Sequence, residues 1–151
     1  MEREMKRVAD SAASQVQILT QGHLNGYSRM FGGQLMSWMD IVAAVAARRH
    51  SGRNVTTVRV EGLEFRLPAH ANDTLTLDAH VAYVGTTSMY VKVAAYIEEL
   101  NGEKRLTNQA WFVMVALDEE EKPVPVPGLI LETDEERAEW AEAEAMKRRM
   151  R

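Results

Sequence analysis

Cysteine does not occur anywhere in the 151 residues, so neither disulfide cross-links nor thiolate chemistry is available to this chain. No apolar run is long enough to span a bilayer, and the opening MEREMKRVAD lacks the apolar core of a secretory signal. Excess positive charge is missing as well. The formal net charge is −4 with no basic stripe against it, which excludes a nucleic-acid surface as the natural expectation. The one positive cluster, Lys147, Arg148, Arg149 and Arg151, closes a segment that opens with acids. That order suits a dipole-matched helix rather than a membrane anchor. His50, His70 and His80 show no metal-like spacing with one another or with carboxylates, so no metal is expected. Ser14, Ser37 and Ser88 lack a nucleophile-elbow context. These exclusions predict a soluble, cytoplasmic chain without a metal centre.

What is present is material for one folded domain. Apolar residues make up 46% of the chain, an ordinary share for a globular protein of a size that buries a real core. Residues 1–14 are charged and alanine-rich and read as an N-terminal arm or frayed helix. SQVQILT, with Val16 and Ile18 alternating, reads as a short strand. From Gly32 to about His50 the pattern is helical. Four period-two strands follow, Val55 to Phe65, Thr74 to Val84, Ser88 to Leu100 and Leu106 to Leu117. Apolar markers in the first of these are Val58, Val60 and Phe65, and in the second Leu75, Leu77, Ala79, Val81 and Tyr83 share one face. Asn101-Gly102 predicts a tight hairpin with positive φ at both residues. Pro123, Pro125 and Pro127 make an extended linker, since none can donate to a ladder. Thr133 and Glu136 form a capping-box pattern that opens a last, solvated surface helix. The expected organisation is an arm (1–14), a central domain of helix and antiparallel meander (15–130) and a C-terminal helix (131–151).

Asp40 stands out because it interrupts an apolar helix. At about 100° per residue, Gly33, Met36, Ala43, Ala44 and Ala47 share its side, with Leu35, Trp38, Val42 and Val45 opposite. A helix apolar all round is normally buried, here most simply by a sheet wrapped around it. A carboxylate on a stripe of small residues fits general-base or nucleophilic work in a narrow cleft. It fits equally a buried acid paired with Arg48, Arg49 or a backbone donor. Gly32 and Gly33 at the helix start add weight to chemistry. Free N–H groups and the positive dipole end stabilise a developing oxyanion there, and a missing β-carbon lets a carbonyl approach.

The pattern His23, Asn25, Phe31, Gly32, Gly33, Met36, Trp38 and Asp40 resembles the hotdog-fold acyl-CoA thioesterases, in particular the brain-type and small bacterial acyl-CoA hydrolases. NVTTVRVEGLEFRLPA, YVGTTSMYVKV and FVMVALDEEEKPVPVP continue the likeness in order, so that it covers residues 15–130. It implies an α+β hotdog fold, an antiparallel sheet around a long central helix, with protomers paired sheet edge to sheet edge. Homodimers of that kind carry their sites at the interface and assemble further into hexamers, as trimers of dimers. By the same likeness Asp40 is the general base or nucleophile, and Asn25 positions water or carbonyl across the interface. Gly33, with Gly32, forms the oxyanion hole, and Thr57 lines the site. Phe31 and His23 flank the substrate, although His23 also fits a loop-structuring role. Gly85, Thr87 and Ser88 match a loop associated with coenzyme A. The implied reaction hydrolyses acyl-CoA to fatty acid and CoA, with no cofactor beyond the CoA carried by substrate and product. A non-catalytic acyl-CoA-binding domain is the alternative. A hotdog dehydratase would need a His and acid pair, for which His23 is the one nearby candidate. Three departures from the family pattern are Ser28 and Asn72 in place of glycines and Thr86 in place of an arginine.

Overall fold

The structure, a computed structural model, describes residues 2–150. Its elements run β1 (Met5–Arg7), β2 (Ala13–Ile18), α1 (Gly32–Ser51), β3 (Asn54–Phe65), β4 (Thr74–Val84), β5 (Ser88–Glu98), β6 (Lys104–Leu117), β7 (Gly128–Ile130) and α2 (Asp134–Arg149). One five-stranded sheet, in the order β2-β4-β5-β6-β3, is antiparallel throughout. Alternate residues of its long strands face α1. Leu75, Leu77 and Val81 on β4, Met89, Val91 and Val93 on β5, and Phe112 and Met114 on β6 are all fully buried. They close over Leu35, Met39, Ala43, Ala46 and Ala47 of the helix. A long helix with one dense apolar side and a meander with one apolar face have a single economical solution, the sheet curled around the helix.

Two local expectations change. The β5–β6 hairpin forms, but of Asn101 and Gly102 only the glycine has positive φ (92°). The Gly102 N–H donates to Glu99 O at 2.9 Å and the Glu99 N–H to Glu103 O at 2.7 Å, so the loop is longer than a two-residue turn. In β3, register shifts fall between Thr57 and Arg59 and between Glu61 and Glu64. They interrupt the alternation on which the apolar markers rested, and leave Val58 and Phe65 more than half exposed.

The first fourteen residues are not a frayed helix. Strand β1 pairs in parallel with β7, one 3-10 turn follows, and Ala13 and Ser14 already belong to β2. Val8 and Ser11 are buried, with Ser11 Oγ accepting from the Val81 N–H at 2.9 Å and donating to Val8 O at 2.8 Å. Helix α2 opens with the expected capping box: the Glu136 N–H donates to Thr133 Oγ1 and the Glu132 N–H to Glu136 Oε1. It is more than a solvated surface helix, because Ala143, Met146 and Trp140 pack on Tyr83, Tyr90 and Trp111 of the sheet's other face. Beside them Glu139 is nearly buried between His80, whose Nε2–H donates at 2.7 Å, and Lys92 at 3.3 Å. Burial works against its ionisation, yet His80 and Lys92 outweigh that and hold its pKa below the usual carboxylate value.

His50, fully buried at the end of α1, donates from Nε2 to Pro127 O at 2.7 Å, while its Nδ1 meets no partner. Burial chiefly lowers its pKa below 6.5; the Pro127 hydrogen bond opposes this, and the charges of Lys6 and Arg3 reinforce it. The unfolded chain therefore binds this proton at a higher pH than the fold does. Above about pH 6.5 the residue is neutral in both states; as pH falls below that value, protonation favours unfolding. Urea midpoints measured between about pH 8 and pH 5 should decline for the wild type and decline less for His50→Gln. Parallel curves would remove His50 as the cause.

Candidate active site

Asp40 sits at the margin of a stripe that the sheet leaves open. Gly33, Ser37, Ile41 and Arg48 are exposed along one side of α1, with Ile41 52% accessible. The helix is thus not buried all round in the single chain, and the acid is half-buried rather than enclosed. Its partner is not an arginine. Thr57, on the first half of β3, donates its hydroxyl to Asp40 Oδ1 at 2.6 Å, whereas Arg49 reaches the carbonyl of Ala12 instead. A short bond from a β-branched side chain on a sheet strand fixes one carboxylate oxygen and leaves Oδ2 available.

The helix start is open. Gln34 and Leu35 N–H groups both turn back to Phe31 O, at 3.0 and 3.2 Å, so the amides of Gly32 and Gly33 stand at the end where no intrahelical acceptor exists. Two rings crowd these glycines. A β-carbon on Gly33 would lie 2.8 Å from the Phe31 ring, and one on Gly32 would lie 3.3 Å from the Phe65 ring. Larger residues would move the aromatics or the amides. Gly33 and Asp40 are two turns apart on one side of α1, about 10 Å of rise.

Asn25 lies in the loop before the helix, and none of its hydrogen bonds reaches Asp40. Its Oδ1 accepts from the N–H groups of Tyr27 (2.8 Å) and Arg29 (3.3 Å), which leaves Nδ2 as its free donor. It lines a cavity of about 420 Å³ with Met30, Gly32, Phe65, Leu67 and Pro68. His23 accepts from the Thr20 N–H at its Nδ1 (3.0 Å) and stands edge-on to Trp38 with ring centroids 4.9 Å apart. Those contacts tie the 3-10 turn that carries it to α1. Ser28 and Asn72 both adopt positive φ, 59° and 72°, the conformation a glycine would supply; Asn bears this at lower cost than Ser.

Gly85, Thr87 and Ser88 lie together at the β4–β5 turn, where the Gly85 N–H donates to Ser88 O at 2.9 Å. In the ladder Ser88 pairs with Val115, and Val115 with Thr56. The turn is therefore two strand spacings, about 10 Å, from the strand that carries Thr57. The placement of Phe65 over Gly32 is not legible in the sequence, because a strand-end aromatic carries no signal of which glycine it will meet. Among the described residues no group of three or more His, Cys, Asp or Glu is arranged to hold a metal ion.

The model of the thioesterase superfamily matches residues 27–103. An uncharacterized acyl-CoA thioester hydrolase of Bacillus subtilis is 40% identical over 113 residues, covering 74% of this chain and 66% of its own length. The acyl-CoA thioester hydrolase YciA of Salmonella typhimurium is 35% identical over 107 residues, 68% of this chain and 80% of that protein. A longer mouse acyl-coenzyme A thioesterase matches at 33% identity, with this chain spanning 23% of it. Among solved structures, the acyl-CoA hydrolase of Staphylococcus aureus in complex with butyryl-CoA, CoA and CoA disulfide superposes with a TM-score of 0.91. It is 34% identical, over 97% of this chain and 90% of that one. A hexameric apo acyl-CoA thioesterase gives 0.93 at 32% identity, over 97% and 94%. The chain belongs to the thioesterase superfamily and has its hotdog fold. The Staphylococcus enzyme was also solved with an asparagine, an aspartate and a threonine each changed to alanine, spaced fifteen and then seventeen positions apart. Asn25, Asp40 and Thr57 have the same two separations.

Proposed function

We propose that the protein is an acyl-CoA thioester hydrolase whose site is completed by a second copy of the chain. One observation carries this reading: the Thr57 hydroxyl holds Asp40 at 2.6 Å at the margin of the open stripe of α1, two turns from the helix-start amides of Gly32 and Gly33. A thioester carbonyl accepting from the Gly33 N–H, with Gly32 adding to the field, places its developing negative charge at the positive end of the helix. Asp40 Oδ2 then either takes a proton from the attacking water or attacks the carbonyl carbon itself, forming a mixed anhydride that water afterwards hydrolyses to free the acid and the carboxylate. In both routes the thiolate of CoA leaves, and a thiolate is a good enough leaving group to need no strong acid.

Three features support a shared site. Strand β3 is a sheet edge, and Ile41, Val58, Phe31 and Phe65 expose large apolar area on α1, β3 and the adjoining loop. Exposed apolar surface of that kind suits a protein partner. Asn25 has a free donor, and neither its hydrogen bonds nor the cavity it lines includes Asp40 of its own chain, so a facing protomer is where the two would meet. The hexameric relatives agree with further assembly as a trimer of dimers. No helix of the described residues is long and apolar enough to cross a membrane, and a cytoplasmic setting suits the substrate. Phe31, with Gly32, borders the carbonyl, and Gly85, Thr87 and Ser88 take the CoA end. The alternative, acyl-CoA binding without turnover, gives the oriented Thr57–Asp40 pair no task.

Following thiol release from short, medium and long acyl-CoAs tests the proposal. Turnover should exceed the spontaneous rate by orders of magnitude for at least one chain length. Tight acyl-CoA binding with no release over hours would favour the binding domain instead.

A further inference from the structure

Strand β3 leaves the sheet irregularly. Its register shifts between Glu61 and Glu64, and Gly62 takes a positive φ of 71°. Past the last ladder pair, Phe65 with Asn108, the chain runs off the sheet, where its carbonyls have no strand to bond. Two side chains of β6 supply donors there. Asn108 Nδ2 donates to Glu64 O at 2.5 Å, and the Thr107 hydroxyl donates to Leu67 O. The same hydroxyl lies 3.0 Å from Asn108 Oδ1, and the Arg66 N–H donates to Thr107 O at 2.9 Å. Thr107 and Asn108 are 0% and 1% exposed. Polar side chains buried so far are unfavourable unless bonded, and these two bond to backbone on either side of Phe65. Residues 65–69 then meet the start of α1 twice. The Phe65 ring covers Gly32, 3.3 Å from where a β-carbon would stand. Ala69 O accepts from the Met30 N–H at 2.7 Å, two residues ahead of the helix. Asn108 also lines the cavity that Asn25 and Gly32 share.

We infer that Thr107 and Asn108 are positioning residues for the oxyanion hole: they fix residues 65–69, and through Phe65 that segment holds the Gly32 and Gly33 amides. This rests on the thioesterase reading and deepens it. Donors that stabilise an oxyanion are effective because they need no reorganisation as charge develops. Two successive glycines have no side chains with which to fix themselves, and their backbone is the freest in the chain. The packed ring removes that freedom from one side and the Ala69 carbonyl from just upstream. Misplacing a reacting partner by about 1 Å can slow a reaction about a hundredfold, and an interaction made only in the transition state lowers kcat without raising KM.

Thr107→Val removes the hydroxyl at similar shape, whereas Thr107→Ser keeps it. In steady-state thiol release, Thr107→Val and Asn108→Leu should each lower kcat about ten- to hundredfold with KM near the wild-type value. Thr107→Ser should restore most of kcat. Phe65→Ala, at a ring 59% exposed, should fold and lower kcat to a similar degree, and adding Thr107→Val to it should have little further effect. Thr76→Val, at a buried threonine whose hydroxyl meets no partner among the described residues, should leave kcat unaltered. Hydrogen exchange at the Gln34 and Leu35 amides, both bonded to Phe31 O, reads the helix start without any chemistry. It should quicken in Thr107→Val and Phe65→Ala relative to amides in the middle of α1, which separates local loosening from a general loss of stability. The inference is overturned if Thr107→Val and Asn108→Leu keep wild-type kcat, if the double variant shows the full product of the two single losses, or if exchange at Gln34 and Leu35 is unchanged. A wild type that hydrolyses no acyl-CoA would instead remove the thioesterase reading, and exchange would still decide whether Thr107 holds the helix start.

Discussion

Changing Asp40 to Asn is expected to lower kcat for acyl-CoA by about a hundred- to ten-thousandfold, the range for loss of a positioned acid–base or nucleophilic group. KM should move little, since Asp40 is assigned to the reacting centre and not to the CoA end. The amide keeps an oxygen at the Oδ1 position, so the Thr57 hydroxyl retains an acceptor and the loss reports charge and basicity rather than a collapsed contact. Asp40→Ala should lose at least as much. Both variants should fold, because the side chain is half-buried and belongs to no ion pair among the described residues. Thermal midpoints close to the wild type, together with steady-state thiol release, separate lost chemistry from lost structure. Unchanged turnover in both variants would end the assignment.

A second large effect follows from placing Asn25 and Asp40 of one site on different protomers. Asn25→Ala and Asp40→Ala should each be nearly inactive alone. Unfolding the two together and refolding them as a mixture creates mixed dimers in which one site carries both changes and the other carries neither. With random pairing about half the dimers are mixed, so activity should return to about a quarter of the wild-type level, from two proteins that have almost none. A site confined to one chain predicts no recovery at any mixing ratio. The gain depends on subunit exchange, which mass spectrometry of the mixture checks directly.

How far the sequence carried depends on the kind of information each feature needed. Strand β4 runs Thr74–Val84 and Leu75, Leu77, Ala79 and Val81 share its inner face as predicted, because both its neighbours are strands. Tyr83, expected on that face too, is turned to the α2 side past a register shift between Val81 and Tyr83. At the sheet edges the same rule failed. Val16 and Ile18 mark β2 correctly as a strand but are 61% exposed each, and Val58 is turned outward by a register shift in β3. Edge strands have one partner, so alternation no longer fixes which face is covered. The N-terminal strand β1 was illegible because MKR has no strand signal of its own. It exists through pairing with β7, more than a hundred residues away.

The site divides along the same line. Asp40 and the Gly-Gly pair are visible because each breaks a local pattern, a charge in an apolar helix and two flexible residues at its start. Thr57 entered only through the family resemblance, since no spacing rule links a helix position to the next strand. Thr107 and Asn108 read as ordinary positions of an alternating strand. Their bonding to the backbone around Phe65 is a product of tertiary structure alone. So is the open stripe beside Asp40, which a periodicity argument had assigned to a buried helix.

A crystal structure of the Asp40→Asn protein soaked with an acyl-CoA substrate addresses the central claim most directly. The thioester carbonyl oxygen should lie about 2.7–3.1 Å from the Gly33 amide nitrogen, with the side chain at position 40 beside the carbonyl carbon and Asn25 reaching in from the other protomer. A thioester bound away from the Gly32–Gly33 helix start, with position 40 facing solvent or packed without substrate beside it, would contradict the account.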